Sequence, residues 1–458
     1  MPATEPARFG TSGLRGLVTA LTPDVVAAHV AGFVTACDAG TTVLIGEDLR
    51  PSSPEIAQIA ARAVRAAGAQ PVRLGPLPTP ALALAAQAQG SGAIMVTGSH
   101  IPADRNGLKF YRRGGSEIDK PDEAAIVTAA RIPAPMLGEV VEIDRAAAAR
   151  ALTGYRARYL DAFGAGALRG LRLGLYTHSS VARDLLAELL RAFGAEVTEL
   201  GRATTFVPVD TEAVDPATRA RLKAWAAQGL DAILSTDGDA DRPLLADETG
   251  EVIRGDLLGA ITARHLGATH VVTPVTSTTA LDAMGFAQVR RTRVGSPYVI
   301  AGMADVAPAR VVGFEANGGV LLGFDAGPLP ALPTRDAVLP LITPLLAARG
   351  APLSTLVAAL PRRVALADRL QGIDRTRAAA WIKTLTQDDR ARAAFWDGAP
   401  AALDVTDGPR MIHPNGDILH LRLSGNAPEL RVYAEAVTLG AAQMLLNRGL
   451  KRACSMVR

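Results

Sequence analysis

Short apolar runs alternate along this chain with longer segments in which apolar residues have a helical spacing. Three of these runs, at residues 41–46, 171–176 and 270–275, predict buried strands. Each run is followed by a predicted helix and then by a second strand; the helices cover residues 54–69, 181–193 and about 277–285. This order is typical of β-α-β units, in which the helix packs on a mostly parallel sheet. The pattern therefore predicts an α/β protein.

Glycines recur at matching positions in the first two units. Gly68 and Gly194 end the predicted helices, Gly75 and Gly201 end the strands that follow, and the two pairs have the same separation along the chain. A looser third copy reaches Gly295. Repeated units of this kind predict three similar α/β domains. The alternative is a chance recurrence in a chain rich in alanine and glycine.

The C-terminal part of the chain has a different pattern. A helical stretch is predicted from about residue 361, followed by short strands near 417–423 and 430–435 and by a terminal helix over 436–447. This order predicts a smaller α+β domain that closes over the other three. The predicted domains are residues 1–140, 141–248, 249–356 and 357–458.

Composition narrows the class of protein. The chain has 458 residues, of which 48% are hydrophobic and 20% are charged, as in ordinary globular proteins. A net charge of +3 and an aromatic content of 4% argue against a nucleic-acid partner. No signal sequence or membrane-spanning run is recognisable, and Cys37 and Cys454 have no metal-ligand spacing. We therefore expect a cytoplasmic protein without a membrane partner.

Three aspartates alternate with small residues directly after an apolar run. Asp237, Asp239 and Asp241 occupy alternate positions of a predicted turn, so their carboxylates can converge on one hard cation. An EF-hand is excluded because Arg242 stands where that loop requires glycine. A solvated acidic turn is the other alternative, but three like charges this close repel one another without a cation. The motif favours a Mg²⁺ site.

A serine follows another predicted strand, in a loop dense in glycine, proline, asparagine and aspartate. Ser99 could carry a phosphoryl group, with His100 or Lys109 available to activate its hydroxyl. Only five of the 48 basic residues are lysines, so a lysine at position 109 suggests that a compact ammonium group, or an amine able to lose its proton when desolvated, is required there. The alternative is an ordinary surface turn.

Three further segments have weaker signals. Arg15 lies in a glycine-rich turn near the start of the chain, which could equally be a flexible loop. Glu315 and Asn317 stand two residues apart after a predicted strand and could hold neighbouring sugar hydroxyls, or could form a simple hairpin turn. Small residues between Arg422 and Arg431 would let backbone N–H groups approach an anion.

In order and spacing, these motifs resemble those of the α-D-phosphohexomutases, a superfamily that includes phosphomannomutases and phosphoglucomutases. The resemblance spans nearly the whole chain. It implies four domains around a central cleft, of which three are similar α/β domains with mixed sheets and the last is a smaller C-terminal α+β domain. It also implies a small-molecule phosphosugar substrate. We expect a monomer or homodimer, and the sequence does not decide between them.

The resemblance implies a role for each motif. Ser99 would be a phosphoserine that gives its phosphoryl group to the sugar, forming a hexose 1,6-bisphosphate that reorients and returns the other group. One Mg²⁺ per active site would be held by Ser99, Asp237, Asp239 and Asp241. The residues around the reacting oxygens would be Arg15, His100, Lys109 and Arg242. The sugar and its non-reacting phosphate would be bound by Glu315, Asn317, Arg422, Ser424, Gly425, Asn426 and Arg431.

Some positions depart from the family pattern. The usual serine loop reads Thr-Ala-Ser-His-Asn-Pro, and here Gly98 and Ile101 replace alanine and asparagine. Leu423, Asn426 and Ala427 differ from the usual phosphate loop, and the sugar loop lacks the histidine found in many members. We expect interconversion of hexose 6-phosphate and hexose 1-phosphate, with mannose favoured and a hexose 1,6-bisphosphate as activator. The alternatives are a phosphoglucomutase, a phosphoglucosamine mutase, or a phosphosugar-binding protein without turnover.

Overall fold

The computed structural model describes residues 6–10, 12–306, 308–396, 398–424 and 428–457. The strands of these residues form four sheets, with six, four, five and five strands. Within the same residues, no helix combines the length and the apolar character needed to cross a membrane.

The first sheet is formed near the N-terminus. Its strands are β1 (Arg8–Phe9), β2 (Leu14–Leu17), β3 (Thr42–Glu47), β4 (Gln70–Pro76), β5 (Gly92–Val96) and β6 (Arg105–Tyr111). The helices of this unit are α1 (Pro23–Ala36), α2 (Ser53–Ala66), α3 (Thr79–Gln89) and α4 (Lys120–Ala129). The strand order is β1-β2-β6-β5-β3-β4.

The second and third sheets follow along the chain. The second unit contains α5 (Arg145–Phe163), β7 (Arg172–Tyr176), α6 (Arg183–Ala192), β8 (Glu196–Leu200), α7 (Pro216–Ala226), β9 (Ala232–Thr236) and β10 (Pro243–Ala246). The third contains α8 (Gly255–His265), β11 (His270–Pro274), β12 (Gln288–Thr292), α9 (Ser296–Ala304), β13 (Val311–Phe314), β14 (Val320–Leu322), β15 (Leu332–Asp336), α10 (Val338–Ala348) and α11 (Leu353–Ala358).

These three sheets share one topology. In strand order they contain β4-β3-β5-β6, β8-β7-β9-β10 and β12-β11-β13-β14. In each, the first three strands are parallel and the fourth is antiparallel. The prediction of three similar α/β units with mixed sheets is therefore confirmed. In the third copy the predicted helix is reduced to a short 3₁₀ turn, Thr279–Ala283.

The fourth sheet is entirely antiparallel. Its unit contains β16 (Val364–Gln371), α12 (Arg375–Gln387), α13 (Asp389–Trp396), β17 (Ala402–Asp404), β18 (Arg410–Ile412), β19 (Ile418–Leu423), β20 (Glu429–Ala436) and α14 (Leu439–Val457). The helix predicted from about residue 361 is wrong at its start, because β16 pairs with β20 over eight residues. Ladder pairing here overrides the local helix propensity of an Ala-, Leu- and Arg-rich segment. The terminal helix is also longer than predicted.

The largest apolar core joins the three α/β units. Leu74, Leu186 and Leu339, one from each unit, belong to the same buried cluster. The fourth unit has a separate core that includes Trp381 and Phe395. Because the first three units pack against each other, loops at the ends of their strands can form one site. The residues at which one domain ends and the next begins stay a prediction.

Candidate active site

Ser99 lies in the serine loop, residues 97–104, between β5 and β6. Its φ of 54° is in the left-handed region, which is uncommon for a residue other than glycine and is often found at functional sites. The side chain is buried, and its hydroxyl donates a hydrogen bond to Asp237 Oδ2. The Ser99 N–H group donates to Thr97 Oγ1 at 2.7 Å. The serine and the acidic motif therefore meet, although they come from different α/β units.

The three aspartates lie in the metal loop, residues 237–242, between β9 and β10. Asp237, Asp239 and Asp241 are fully buried, and each offers a carboxylate oxygen within 4.8 Å of the other two. Asp239 Oδ1 and Asp241 Oδ1 are buried oxygens without a hydrogen-bond partner. Unpaired buried carboxylate oxygens are costly unless a cation or donor satisfies them. The donor set thus fits a hard divalent cation.

Lys109 lies on β6, next to the serine loop. Its Nζ is 2.5 Å from Asp239 Oδ2 and 2.5 Å from Asp241 Oδ2. These contacts use the Oδ2 atoms. Neither Oδ1 atom accepts a hydrogen bond, and Arg242 Nε lies 3.7 Å from Asp241 Oδ1. Thr79 Oγ1 also donates to Asp239 Oδ2, at 2.6 Å. The Lys109 ammonium therefore lies on the Oδ2 side of Asp239 and Asp241, next to the oxygens that could bind a cation.

The pKa of Asp237 shifts in the opposite direction to those of Asp239 and Asp241. Burial and repulsion from the other two aspartates raise the pKa of Asp237 well above its ordinary value. Burial also opposes ionisation of Asp239, but the Lys109 ammonium more than offsets it and lowers that pKa. Burial likewise opposes ionisation of Asp241, but the charge of Arg335 outweighs it and lowers the pKa of Asp241. A bound cation would relieve the repulsion that Asp237 experiences.

His100 and Arg242 lie beside the serine hydroxyl. Arg242 Nη1 donates to His100 Nδ1 at 2.9 Å, and Ser99 Oγ is 3.2 Å from the same nitrogen. Burial and the Arg242 charge lower the pKa of His100 to about 3. The imidazole is therefore neutral near pH 7. Because a guanidinium only donates, Nδ1 must be the acceptor, which places the ring proton on Nε2.

Arg15 extends from β2 behind the serine loop. Its Nη1 donates to the carbonyl oxygen of Thr97, two residues before Ser99. Burial lowers the pKa of Arg15, and the charge of Asp239 opposes that effect. The structure thus brings Arg15, His100, Lys109 and Arg242 together with Ser99 and the metal loop.

The sugar loop, residues 315–319, lies between β13 and β14. Glu315 Oε1 accepts from the Gly295 N–H group at 3.0 Å, and Glu315 Oε2 accepts from Asn317 Nδ2 at 3.3 Å. Both side chains are buried. These hydrogen bonds hold both side chains in one orientation.

The predicted phosphate-binding residues lie between β19 and β20. Arg422 Nε donates to Asp407 Oδ2 at 2.6 Å, and Arg422 is paired in register with Arg431 on the neighbouring strand. Ser424 follows β19 and is buried. Gly425 and Asn426 lie outside the described residues. The contacts of Arg422 are thus within the fourth unit rather than with Ser99 or the metal loop.

Arg335, on β15, has a central place that the sequence did not indicate. Its guanidinium is 1% exposed and lies 2.8 Å from Asp241 Oδ2, 3.2 Å from Glu315 Oε2 and 3.3 Å from Glu117 Oε1. It therefore links the metal loop to the sugar loop. In the sequence it is only an arginine between Thr334 and Asp336, just before a mostly apolar segment.

Asp48 and Arg50, at the end of β3, hold the serine loop and were also missed. Asp48 Oδ2 accepts from Thr97 Oγ1 at 2.7 Å and from Arg50 Nε at 3.2 Å. The Arg50 guanidinium donates to four carbonyl oxygens, those of Ser99 (3.1 Å), Ile101 (2.5 Å), Pro102 (2.7 Å) and Arg105 (2.9 Å). The position of these residues after a parallel strand next to β5 was the signal that could have found them.

Comparison with known proteins identifies the family. Sequence models described as phosphoglucomutase/phosphomannomutase, alpha/beta/alpha domains I, II and III match residues 6–132, 157–250 and 254–364. A phosphomannomutase of Sinorhizobium fredii is 48% identical over 97% of this chain and 98% of its own, and one of Salmonella muenchen is 45% identical over 93% and 91%. A Burkholderia thailandensis protein of the phosphoglucomutase/phosphomannomutase family has the same fold, with a TM-score of 0.76 at 23% identity and 98% coverage of both chains. The chain therefore belongs to the phosphoglucomutase/phosphomannomutase family.

Proposed function

We propose that the protein is a phosphohexomutase that interconverts mannose 6-phosphate and mannose 1-phosphate through a phosphoserine at Ser99. The observation that carries this proposal is the contact of the Ser99 hydroxyl with Asp237, inside a buried carboxylate cluster that has two unpaired oxygens. Mannose is favoured because the two relatives at 45% and 48% identity are phosphomannomutases. Phosphoglucomutase and phosphoglucosamine mutase activities are the alternatives on the same scaffold.

The metal loop is proposed to hold one Mg²⁺ through Asp237, Asp239 Oδ1 and Asp241 Oδ1, with an oxygen of Ser99 or of its phosphate as a further ligand. The unpaired oxygens and the raised pKa of Asp237 support this donor set. When bound, the ion would neutralise charge on the transferring phosphoryl group.

The residues around Ser99 would act on the oxygens that exchange the phosphoryl group. Arg242 and Lys109 would hold non-bridging phosphoryl oxygens, since both cations lie beside Asp241 in the carboxylate cluster. Arg15 would hold the backbone of Thr97 in place. As the bond from phosphorus to Ser99 Oγ breaks and the bond to the sugar oxygen forms, the sugar hydroxyl loses one proton and Ser99 Oγ gains one. His100, whose Nδ1 is 3.2 Å from Ser99 Oγ, would relay this proton.

The remaining predicted residues would hold the rest of the substrate. Glu315 and Asn317 would bind sugar hydroxyls. Arg422, Ser424 and Arg431, with Gly425 and Asn426 of the same loop, would hold the phosphate that does not react. This site must accept either end of the hexose 1,6-bisphosphate, because the intermediate reorients between the two transfers. Added hexose 1,6-bisphosphate would restore a lost phosphoserine and so act as an activator. A cytoplasmic monomer or homodimer is proposed.

Replacement of the serine tests the proposal. Ser99→Ala should abolish turnover of mannose 1-phosphate and should gain no stable phosphate, by intact mass, after incubation with a hexose 1,6-bisphosphate. Ser455→Ala, an exposed serine on α14, is the matched control and should behave as the unaltered protein. A Ser99→Ala variant with normal turnover would overturn the phosphoserine assignment. Turnover of glucose and glucosamine 1-phosphates in parallel decides among the three sugars.

A further inference from the structure

Arg335 is a buried guanidinium whose contacts reach all three α/β units. Glu117 and Ser12 belong to the first unit, Asp241 to the second and Glu315 to the third. Among the described residues, Arg335 thus connects a proposed metal ligand directly with a proposed sugar ligand.

The chemistry of this position requires a guanidinium. Its planar fork presents several N–H groups in fixed directions, so one side chain can donate to Glu117 and Glu315 while its charge pairs with Asp241. A lysine has one compact ammonium on a flexible stem and could not reach all three with good geometry. Nη2 is 2.8 Å from Asp241 Oδ2 and 3.1 Å from Ser12 Oγ, whereas Nη1 faces Glu315.

The surroundings hold Arg335 in place. The next residue, Asp336, accepts hydrogen bonds from the hydroxyl groups of Tyr155 and Tyr159 on α5. Ser296 Oγ donates a hydrogen bond to the other carboxylate oxygen of Glu117, Oε2, at 2.6 Å. A Cβ added to Gly319 would lie 3.0 Å from Arg335 Cβ, so the sugar loop packs closely on this side chain. Arg335 therefore has little freedom to leave Asp241 or Glu315.

We propose that Arg335 is a positioning residue that balances the charge of Asp241 and orients Glu315 for the sugar. Its positive charge weakens the attraction of the carboxylate cluster for Mg²⁺, and its fork fixes the carboxylate that meets the substrate. The loss of the charge and the loss of the fork should therefore have different effects. This inference rests on the proposed metal site and sugar site.

Two substitutions separate charge from geometry. In Arg335→Met the positive charge is lost, so the Kd for Mg²⁺ measured by calorimetry should fall about tenfold, equivalent to about 1.4 kcal/mol. The KM for mannose 1-phosphate should rise about tenfold, because Glu315 loses the charged one of its three donors. In Arg335→Lys the charge remains, so Mg²⁺ affinity should stay close to that of the unaltered protein while KM still rises.

Arg290→Met is the matched control. Arg290 lies on β12 of the same sheet and pairs with Asp305, so this variant also removes an arginine from an ion pair. Its Mg²⁺ affinity and KM should not change. If Arg335→Met binds Mg²⁺ as the unaltered protein does, or more weakly, the inference is overturned, because a purely structural defect can only loosen the site.

A third variant should change the Kd for Mg²⁺ in the opposite direction. It keeps the inference testable even if Arg335→Met fails to fold. Glu117→Gln removes one of the three carboxylates that share Arg335, so more of its charge acts on Asp241. The Kd for Mg²⁺ should rise, and a fall or no change would count against the inference. If the unaltered protein itself binds no Mg²⁺, the proposed metal site fails instead, which is a distinct result.

Discussion

Replacing Gly98 with alanine tests whether the serine loop depends on the packing of Arg50. A Cβ at residue 98 would lie 2.3 Å from Arg50 Cζ and 2.4 Å from Arg50 Nε, well inside van der Waals contact. The guanidinium is buried, stacks over Phe206 at 4.2 Å and donates to four carbonyl oxygens of the adjoining backbone. It cannot give way without losing some of these bonds. The methyl group and the present position of Arg50 therefore exclude one another.

The cost can be worked from these contacts. Inserting a methyl group into a closely packed site costs about 1 to 3 kcal/mol. Each hydrogen bond lost from a charged donor adds about 1.5 to 3 kcal/mol. If one bond is lost and the backbone relaxes partly, we expect Gly98→Ala to destabilise the loop by about 2 to 4 kcal/mol. Alanine is the usual residue at this position of the family's serine loop. A change towards the usual sequence should therefore lower the stability of this protein.

Amide hydrogen exchange is the appropriate assay. The three tryptophans, at positions 225, 381 and 396, lie outside the first unit, so their fluorescence would not follow this loop. A loss of about 2 kcal/mol should speed exchange of the protected amides in β5 and β6 by about thirtyfold. Turnover should fall as well, because Ser99 follows directly. Gly138→Ala is the control, since a Cβ at Gly138 would meet nothing within 4 Å. Unchanged exchange and full activity in Gly98→Ala would refute the reasoning.

Three further predictions concern the metal loop, the histidine and the phosphate loop. Asp237→Asn should stabilise the metal-free protein near pH 7, because it removes a carboxylate that its neighbours repel. In the unaltered protein, Mg²⁺ at about 100 times its Kd should raise the free energy of unfolding by about 2.7 kcal/mol, and the variant should lose this gain. Equal Mg²⁺-induced shifts in the thermal unfolding of both proteins would contradict this. Because the pKa of His100 is lowered to about 3, the unfolded chain binds a proton that the folded chain does not. The free energy of unfolding should thus fall as pH drops from about 6.5 towards 3, and His100 should contribute at most about 1.4 kcal/mol per pH unit to this fall. Urea titrations should show a weaker pH dependence in His100→Gln, and an identical pH dependence would count against this prediction. Arg431→Ala should raise KM by about 10- to 150-fold, through loss of a charge-assisted bond worth about 1.5 to 3 kcal/mol. Replacing Arg390, an exposed arginine on α13, with alanine should leave KM unchanged. An unchanged KM in Arg431→Ala would exclude Arg431 from phosphate binding.

Much of the fold could be predicted because the relevant signals are local. Apolar runs mark β3, β7 and β11, and glycines mark the ends of the helices that follow, so the threefold repeat was visible before any packing was known. The failures occur where pairing or packing outweighs local preference. β16 has a helix-favouring composition but is drawn into the ladder of β20. In the third unit, only a 3₁₀ turn joins β11 to β12.

The candidate site was predicted in part for the same reason. Ser99 and the three aspartates each follow a strand, where a reactive loop is expected, and their types already indicate phosphoryl transfer and a cation. Arg50 and Arg335 were missed because an arginine in a sequence gives no sign of which carbonyl or carboxylate it will meet. Their partners lie tens to hundreds of residues away.

The sequence alone determined where most strands and helices lie, which loops bear reactive groups and what kind of chemistry those groups suit, because side-chain type and spacing are properties of a short segment. Only the tertiary structure decided that Ser99 meets Asp237, that Lys109 contacts the Oδ2 atoms of Asp239 and Asp241, and that Arg335 joins the metal loop to the sugar loop. The physical reason is that these contacts depend on how three separate sheets pack around one shared apolar core, and no short segment contains that information.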